Sequence, residues 1–505
     1  MPNDKWNVKS AAFAEVVRVS SVNSSFVIRH FPNPPMTSRQ TLDLLRAYES
    51  RNVTFLDPDG SWPIVWERAR GVHVWDAAGK KYLDLTAAFG VAAAGHANPQ
   101  VVRAGQRQMA KLLHAMGDVH PHALKAQLAR ELSRITFERW SRITHHASCR
   151  DNRQSPIADS QGFAAGTGKT IFCNSGFEAV EAALKTAMLA TGRQGVIAFE
   201  GAYHGLGYGA LNTTHREHFR GPFRSQLREF GHFVPFPVVG QASRLSQNQG
   251  IKVRDRRDAG PTMEVVETRL RAVLRRDKIG AILVEPIQAR GGCNVPPPEF
   301  LPLLRKLCDK HGALLILDEI YTGFGRTGKW FACEHSGVVP DVICLGKALT
   351  GGFPLSACVG RADVMDAAWP TSQGEAIHTS TFLGHPVGCA MALAQIAEIR
   401  RLKLCERSVR VGNIALATLE NVHASRITHH ARGVGLMIGL ELRHADGSPA
   451  TAEVLRVIKA MLQRGFILLP EGEHGNVISL TPPLTITEAQ LRTTVRELQE
   501  VLNHG

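Results

Sequence analysis

Residues 162–184 read GFAAGTGKTIFCNSGFEAVEAAL and hold two stretches able to grip a phosphate. Which of them does so decides the fold. The first, Gly168-Lys169-Thr170, looks like the end of a nucleotide-binding P-loop. That motif needs Gly, four residues, then Gly-Lys-Ser/Thr, and it follows a strand to open a helix. The required first position holds Phe163, with Gly162 one residue too early, and the polar run RDNRQSPIADSQ lies before it. Gly-Lys-Thr also precedes an apolar strand instead of following one. The second stretch, Asn174-Ser175-Gly176, passes the test of context. It ends the short strand TIFC and opens the Ala/Glu/Lys-rich helix FEAVEAALKTAMLATG, stopped by Gly192. The backbone N–H groups of Ser175, Gly176 and Phe177 fall in the unpaired first turn, at the positive end of the helix dipole, and together make an anion site. Gly176 lets the backbone approach closely. Taken alone, the triplet reads equally well as an ordinary strand-to-helix turn.

Outward from this point the pattern is α/β. GVIAFEGAYHG is strand then loop, AILVEPIQ a strand, and EFLPLLRKLCDKHG a helix with Gly312 just past its end. ALLILDEI and DVICLGKAL are nearly all-apolar strands, as expected for a parallel sheet covered on both faces. Strands alternating with helices predict a doubly wound, mostly parallel sheet. Upstream, residues 41–50 read as a helix, GVHVWDAAGKKYLDL (71–85) as strand, turn, strand, and 99–135 as two helices. The expected division is a large domain over 99–384 and a smaller α+β domain over 36–98 with 385–505. Residues 1–35 read as a disordered tail, with Met36 a candidate start. Residues 138–168 and 241–260 read as surface insertions. SRITHHA occurs at 141–147 and again at 425–431. His145, His146, His429 and His430 suggest a metal less than they suggest His-bearing loops, because adjacent side chains point apart. No metal is expected.

The 505 residues carry a net charge of +14. Residues 1–35, 137–170 and 241–260 contribute +2, +2 and +3, half of the total, from three segments poor in apolar residues. The excess therefore lies in solvated loops rather than in a groove for a polyanion, and no nucleic-acid partner is expected. No apolar run is long enough to span a membrane, and the N-terminal stretch lacks the solid apolar core of a signal peptide. Nine scattered cysteines without a CxxC pair point to a reducing, cytoplasmic setting.

The most specific stretch is LDEIYTGFGRTGKWFACEHSGVVPDVICLGKALTGGFPLSACVG (317–360). Asp318 ends an apolar strand, which puts its carboxylate at the carboxyl edge of the sheet. Lys347 follows another strand, between Gly346 and Gly351-Gly352. With GHANPQVV, FCNSGFEAVEAALK, FEGAYHG, EPIQARGG and STFLGHPVGCA in the same order, the chain resembles the class III, pyridoxal-phosphate-dependent aminotransferases. That group includes the ornithine, acetylornithine and 4-aminobutyrate aminotransferases. The resemblance covers about residues 60 to 500. It implies the fold type I of these transferases, pyridoxal 5'-phosphate as cofactor, and transfer of an amino group from an amine or amino acid to a keto acid. On this resemblance Lys347 holds the cofactor as an aldimine and then moves the substrate proton. Asp318 pairs with the ring nitrogen. Ser175, Gly176 and Phe177 cradle the phosphate, Tyr203 stacks on one ring face beside His204, and Ile320 packs on the other. Glu285 and Tyr321 belong to the same cofactor set, Tyr321 standing where many relatives have Gln. Thr381 is implied to reach the phosphate of a neighbouring subunit, hence a homodimer with shared sites. A racemase, epimerase or aminomutase of the same fold would use the same lysine and carboxylate, without a keto-acid half reaction.

Substrate residues depart from the family. Arg290 stands where many family members that use ω-amino acids have Glu, and Ser479 where those members have the Arg that grips a substrate carboxylate. Arg290 either takes over that carboxylate bidentately or faces solvent or a structural acid. Phe89 aligns with a pocket wall that suits an apolar or bulky donor.

Overall fold

The computed structural model describes residues 36–58, 60–141, 166–238, 261–422 and 427–503. The expected tail 1–35, the segment 241–260 and the histidine pair 145–146 lie outside the described residues.

Fifteen strands among the described residues form three sheets. β1 (Trp66–Arg70), β2 (His73–Asp76) and β3 (Lys81–Asp84) make an antiparallel set near the N-terminus. The central sheet takes β4 (Gly168–Cys173), β5 (Gly195–Phe199), β6 (Gly231–Val234), β7 (Ile279–Val284), β8 (Leu314–Asp318), β9 (Val342–Leu345) and β10 (Ser356–Arg361). Its order is β4-β10-β9-β8-β7-β5-β6, and only β10 runs against the rest. β5, β7 and β9 are buried at every residue, because helices cover both faces and leave no polar side to alternate with. The remaining strands are β11 (Ile427–Val434), β12 (Met437–His444), β13 (Phe466–Ile467), β14 (Leu469–Glu471) and β15 (Val477–Leu480). Four of these form the antiparallel sheet β11-β12-β15-β14, while β13 pairs in parallel with β3 and ties the two ends of the chain together.

The helices after β4 and β7 start and stop as their sequences dictate. Gly176–Thr191 ends on Gly192 at φ +65°, and Phe300–His311 ends on Gly312 at φ +62°, the left-handed closure that glycine adopts without strain. Two expectations need correction. Residues 138–141 are not a surface insertion: 137–141 are helical, and Phe137 and Trp140 are buried one turn apart in the main core. At the other end of that segment, Gly168 already belongs to β4. The second SRITHHA copy is not a loop either. From Ile427 it forms β11, paired residue by residue with β12, so His429 opposes Leu442 and His430 opposes Glu441. Ladder pairing with an apolar neighbour strand decides the state of these residues, which their polar composition hid. Among the described residues no cluster of metal-binding side chains occurs, and no helix is long and apolar enough to cross a membrane.

Candidate active site

Five parallel strands bring their carboxyl ends to one edge of the central sheet, the place where open α/β sheets bind ligands. β4 turns through Asn174-Ser175 into the helix Gly176–Thr191. β5 leads to Tyr203 and His204, β7 to Glu285, β8 stops on Asp318, and β9 passes through Gly346 to Lys347. They meet at a cavity of about 440 Å³. Gly176 and Phe177 form part of its wall, with Tyr203 and His204, Glu285 and Arg290, Asp318, Ile320 and Tyr321, and Lys347.

Lys347 sits at φ +29°, a strained setting for a side-chain-bearing residue and one that collects at functional sites. Its Nζ lies 4.7 Å from the centre of the Tyr321 ring. The residue is partly exposed, toward the cavity it lines, yet burial of the amine holds its pKa below that of a free lysine, with Asp318 and Glu285 pulling the other way. A lysine shifted in this direction is a better nucleophile and base near neutral pH. Asp318 is buried; its Oδ2 lies 2.8 Å from His204 Nδ1, and its Oδ1 accepts from Ile320 N at 3.1 Å. Each oxygen keeps a second lone pair for a further donor. Glu285 accepts from Tyr203 N and from Ala289 N, both at 3.0 Å, and burial pushes its carboxyl up to about 7.

The phosphate candidate is the open first turn of the helix Gly176–Thr191. Its cap residue Ser175 makes no side-chain capping bond, and Ser175 Oγ is buried without a hydrogen-bond partner. The Ser175 carbonyl accepts from Ser356 Oγ at 2.6 Å, which fixes the turn. A Cβ on Gly176 would stand 3.1 Å from Ile320, so glycine keeps this approach open. His204 Nε2 is a second buried polar atom without a partner. A pocket with an amine, a carboxylate on a histidine, an open helix terminus and two unpaired buried polar atoms fits a phosphorylated pyridine aldehyde in its donor chemistry.

Phe89, Thr381 and Ser479 do not line this cavity. Phe89 is 49% exposed, in the turn Ala87–Gly90, where Ala87, Ala88 and Phe89 all have positive φ. Asp84 holds that turn by accepting from Thr86 N, Thr86 Oγ1 and Ala88 N. The turn packs on Tyr321, since a Cβ at Gly90 would come within 2.9 Å of that ring. Thr381 is exposed, in a segment that reaches the phosphate turn through Ser380, whose Oγ lies 3.4 Å from Asn174 Nδ2. Ser479 is buried on β15 with its Oγ 3.9 Å from Cys293 Sγ, behind the wall rather than in it. Tyr321 does line the cavity, and its hydroxyl lies 3.1 Å from Thr481 Oγ1, with either hydroxyl able to be the donor.

Arg290 faces a structural acid as well as the cavity. Glu471, at the end of β14, lies with Oε2 3.9 Å from Arg290 Nε and is itself buried. Nothing in the sequence flags Glu471: it stands in PEGE, one of two glutamates in a loop-like stretch, and only the pairing of β14 with β15 carries it to Arg290.

Comparison with known proteins agrees with this geometry. The family model Aminotransferase class-III matches residues 56–502. An acetylornithine aminotransferase of Methanosarcina mazei is 34% identical over 441 residues, 87% of this chain and 92% of that protein. A putrescine aminotransferase of Pectobacterium atrosepticum is 35% identical over 451 residues, 88% of this chain and 83% of that protein. The crystal structure of an amine transaminase from an uncultivated Pseudomonas species, in its PLP-bound form, superposes with a TM-score of 0.73 at 27% identity, covering 90% of this chain and 97% of that one. None of these supports a racemase or aminomutase. A match over nearly the whole described chain, on relatives that all move amino groups, shows that the chain belongs to the class-III aminotransferases and is a transaminase.

Proposed function

We propose that the chain carries pyridoxal 5'-phosphate on Lys347 and moves an amino group from a donor amine or amino acid to a keto acid whose carboxylate Arg290 binds. The observation that carries this reading is the meeting of Lys347, the Asp318–His204 pair and the open N-terminus of Gly176–Thr191 around one cavity. When bound, the cofactor supplies a ring that draws electrons from the substrate carbon. This chain's residues supply the rest. Ser175 Oγ and the N–H groups of Gly176 and Phe177 hold the phosphate. Asp318, oriented by His204, keeps a proton on the ring nitrogen. Tyr203 and Ile320 confine the ring on its two faces. Lys347, once free, takes the proton from the substrate carbon and delivers it.

A homodimer with shared sites belongs to the same proposal. Leu113, Met116, Val119, Ile377 and Phe382 are each more than half exposed. Thr379 Oγ1 bonds Asp118 at 2.7 Å, which joins the two segments into one apolar face beside Thr381. A second copy on this face would bring Thr381 to a site. We also propose that 36–98 folds with 385–505, supported by the β3–β13 pairing, and that the enzyme works in the cytoplasm, supported by eight described cysteines that are all free thiols.

The visible spectrum tests the central reading. Protein loaded with pyridoxal phosphate should be yellow, bleach with an amino donor and recover with a keto acid. Lys347→Ala should fold, bind cofactor weakly and turn over no donor. A wild-type protein that stays colourless with added cofactor would refute the assignment of Lys347.

A further inference from the structure

Arg290 stands in a tight loop closed by the bridge between Gln288 and Asn294. The loop's backbone is held from two directions. Gly472 N donates to Arg290 O at 3.0 Å, and Arg432 donates twice to Gly292 O, at 3.0 and 2.7 Å. The guanidinium is held far less. It lies 5.1 Å above the Tyr203 ring, and its buried Nε has no hydrogen-bond partner. Glu471, 5% exposed, presents a buried Oε2 that also has no hydrogen-bond partner, 3.9 Å from that Nε. The gap is too long for a hydrogen bond, while the Coulomb attraction across it is nearly undiminished.

Two roles are open to such a carboxylate. It could clamp the guanidinium fork in place for a substrate, or it could act as a counter-ion that an arriving carboxylate must oppose. Magnitude decides between them. Without a hydrogen bond there is little orientation to lose. A unit charge beside the anion-binding group acts on the anion itself through a medium of low dielectric, by a factor of roughly ten or more in affinity.

We propose that Glu471 is the internal counter-ion of Arg290: a substrate carboxylate binds against its charge, and one proton enters Glu471 as that carboxylate binds. The proposal rests on the reading of Arg290 as the carboxylate site. Burial already pushes the Glu471 carboxyl upward, against the pull of Arg290, Arg216 and Lys347. Its charge in turn acts on Tyr203, Tyr321 and Cys293. Burial raises the pKa of all three, so they stay neutral around pH 7. A second anion at Arg290 favours the protonated acid further, so affinity for the substrate carboxylate rises as pH falls. Glu471 thereby sets which substrates enter. Substrates that bring a carboxylate to Arg290 are admitted with a proton, and donors without one meet a pair already neutralised.

Glutarate tests this, because it has two carboxylates and neither an amino nor a keto group. Its binding to the cofactor-loaded enzyme is measured by calorimetry in buffers of different ionisation heat, between about pH 6 and pH 8. The wild type should bind about tenfold more weakly at the upper pH and take up a proton on binding. Glu471→Gln, nearly isosteric, should bind about tenfold more tightly than wild type at the upper pH, with less proton uptake and a flatter pH dependence than wild type, any remainder belonging to Glu285 in the same cavity wall. Wild-type binding without proton uptake overturns the proposal, whatever the variant does. Weak binding by Arg290→Ala together with an unchanged pH profile in Glu471→Gln overturns the counter-ion alone. Wild-type affinity in Arg290→Ala, or no binding by the wild type, overturns the Arg290 reading and this one with it.

Discussion

Glu285 is a carboxylate among backbone donors, and burial raises its pKa from 4.5 to about 7. A raised acid is more protonated in the folded than in the unfolded chain between these two values, so its contribution to stability is complete below about pH 4.5 and is lost as pH rises through about 7. At one pKa unit per 1.36 kcal/mol the loss is on the order of 3 kcal/mol. Cofactor-free wild type should therefore melt progressively lower across that window, and Glu285→Gln should show a flatter profile. Equal slopes for the two proteins would mean that Glu285 is ionised in the fold throughout. The site was legible unevenly at this scale. Lys347 and Asp318 could be placed from sequence because each stands at the carboxyl end of an apolar strand, the edge where such a sheet gathers its site. Ser479 could be aligned but not oriented, since the alternation that buries it beside Cys293 depends on which face β15 turns inward. Glu471 was not legible at all, because its partner is distant in sequence and reaches it only through two sheets.

At the scale of elements, Phe177 and the glycines of HGLGYG form one packing unit. Phe177 offers its backbone N–H to the phosphate turn, and its ring must go somewhere. The ring lies against the loop after β5: a Cβ on Gly207 would stand 2.5 Å from Phe177 Cδ2 and 2.9 Å from Glu181 Oε1. Gly207 has φ −64°, a conformation open to any residue, so its requirement for glycine is steric. Gly207→Ala should cost about 1–3 kcal/mol by overpacking. In a Phe177→Ala background the cost should fall by more than half, and chemical denaturation of the four proteins of this cycle measures the coupling. Additive losses would place the clash with Glu181 instead. Element type was readable wherever burial on both faces produced solid apolar runs, as in β5, β7 and β9. It failed at β11, where Thr-His-His gives no alternation and pairing with β12 decides. It failed again at 137–141, where one buried turn was too short to leave a helical period.

For the whole molecule, the doubly wound sheet followed from the succession of strands and helices, while the β3–β13 link between distant ends did not, because a two-residue strand leaves no pattern. The surface beside the site raises the remaining question of scale. Thr381 is exposed and outside the cavity of its own chain, while the apolar side chains around it face outward. If Thr381 serves the site of a second copy, each site needs Lys347 from one chain and Thr381 from the other. Mixing two inactive proteins separates the cases. Lys347→Ala keeps a normal Thr381; Thr381→Glu keeps a normal Lys347 but sets a carboxylate against the phosphate turn. In a mixed dimer one of the two sites then has both native residues, provided that Thr381 acts across the interface. Random exchange of subunits should bring activity back to about a quarter of the wild-type level. If Thr381 acts within its own chain, every site in the mixture lacks one group and activity does not return. Sedimentation of the same mixture shows whether dimers formed, so that silence from unexchanged subunits is not mistaken for a site built within one chain.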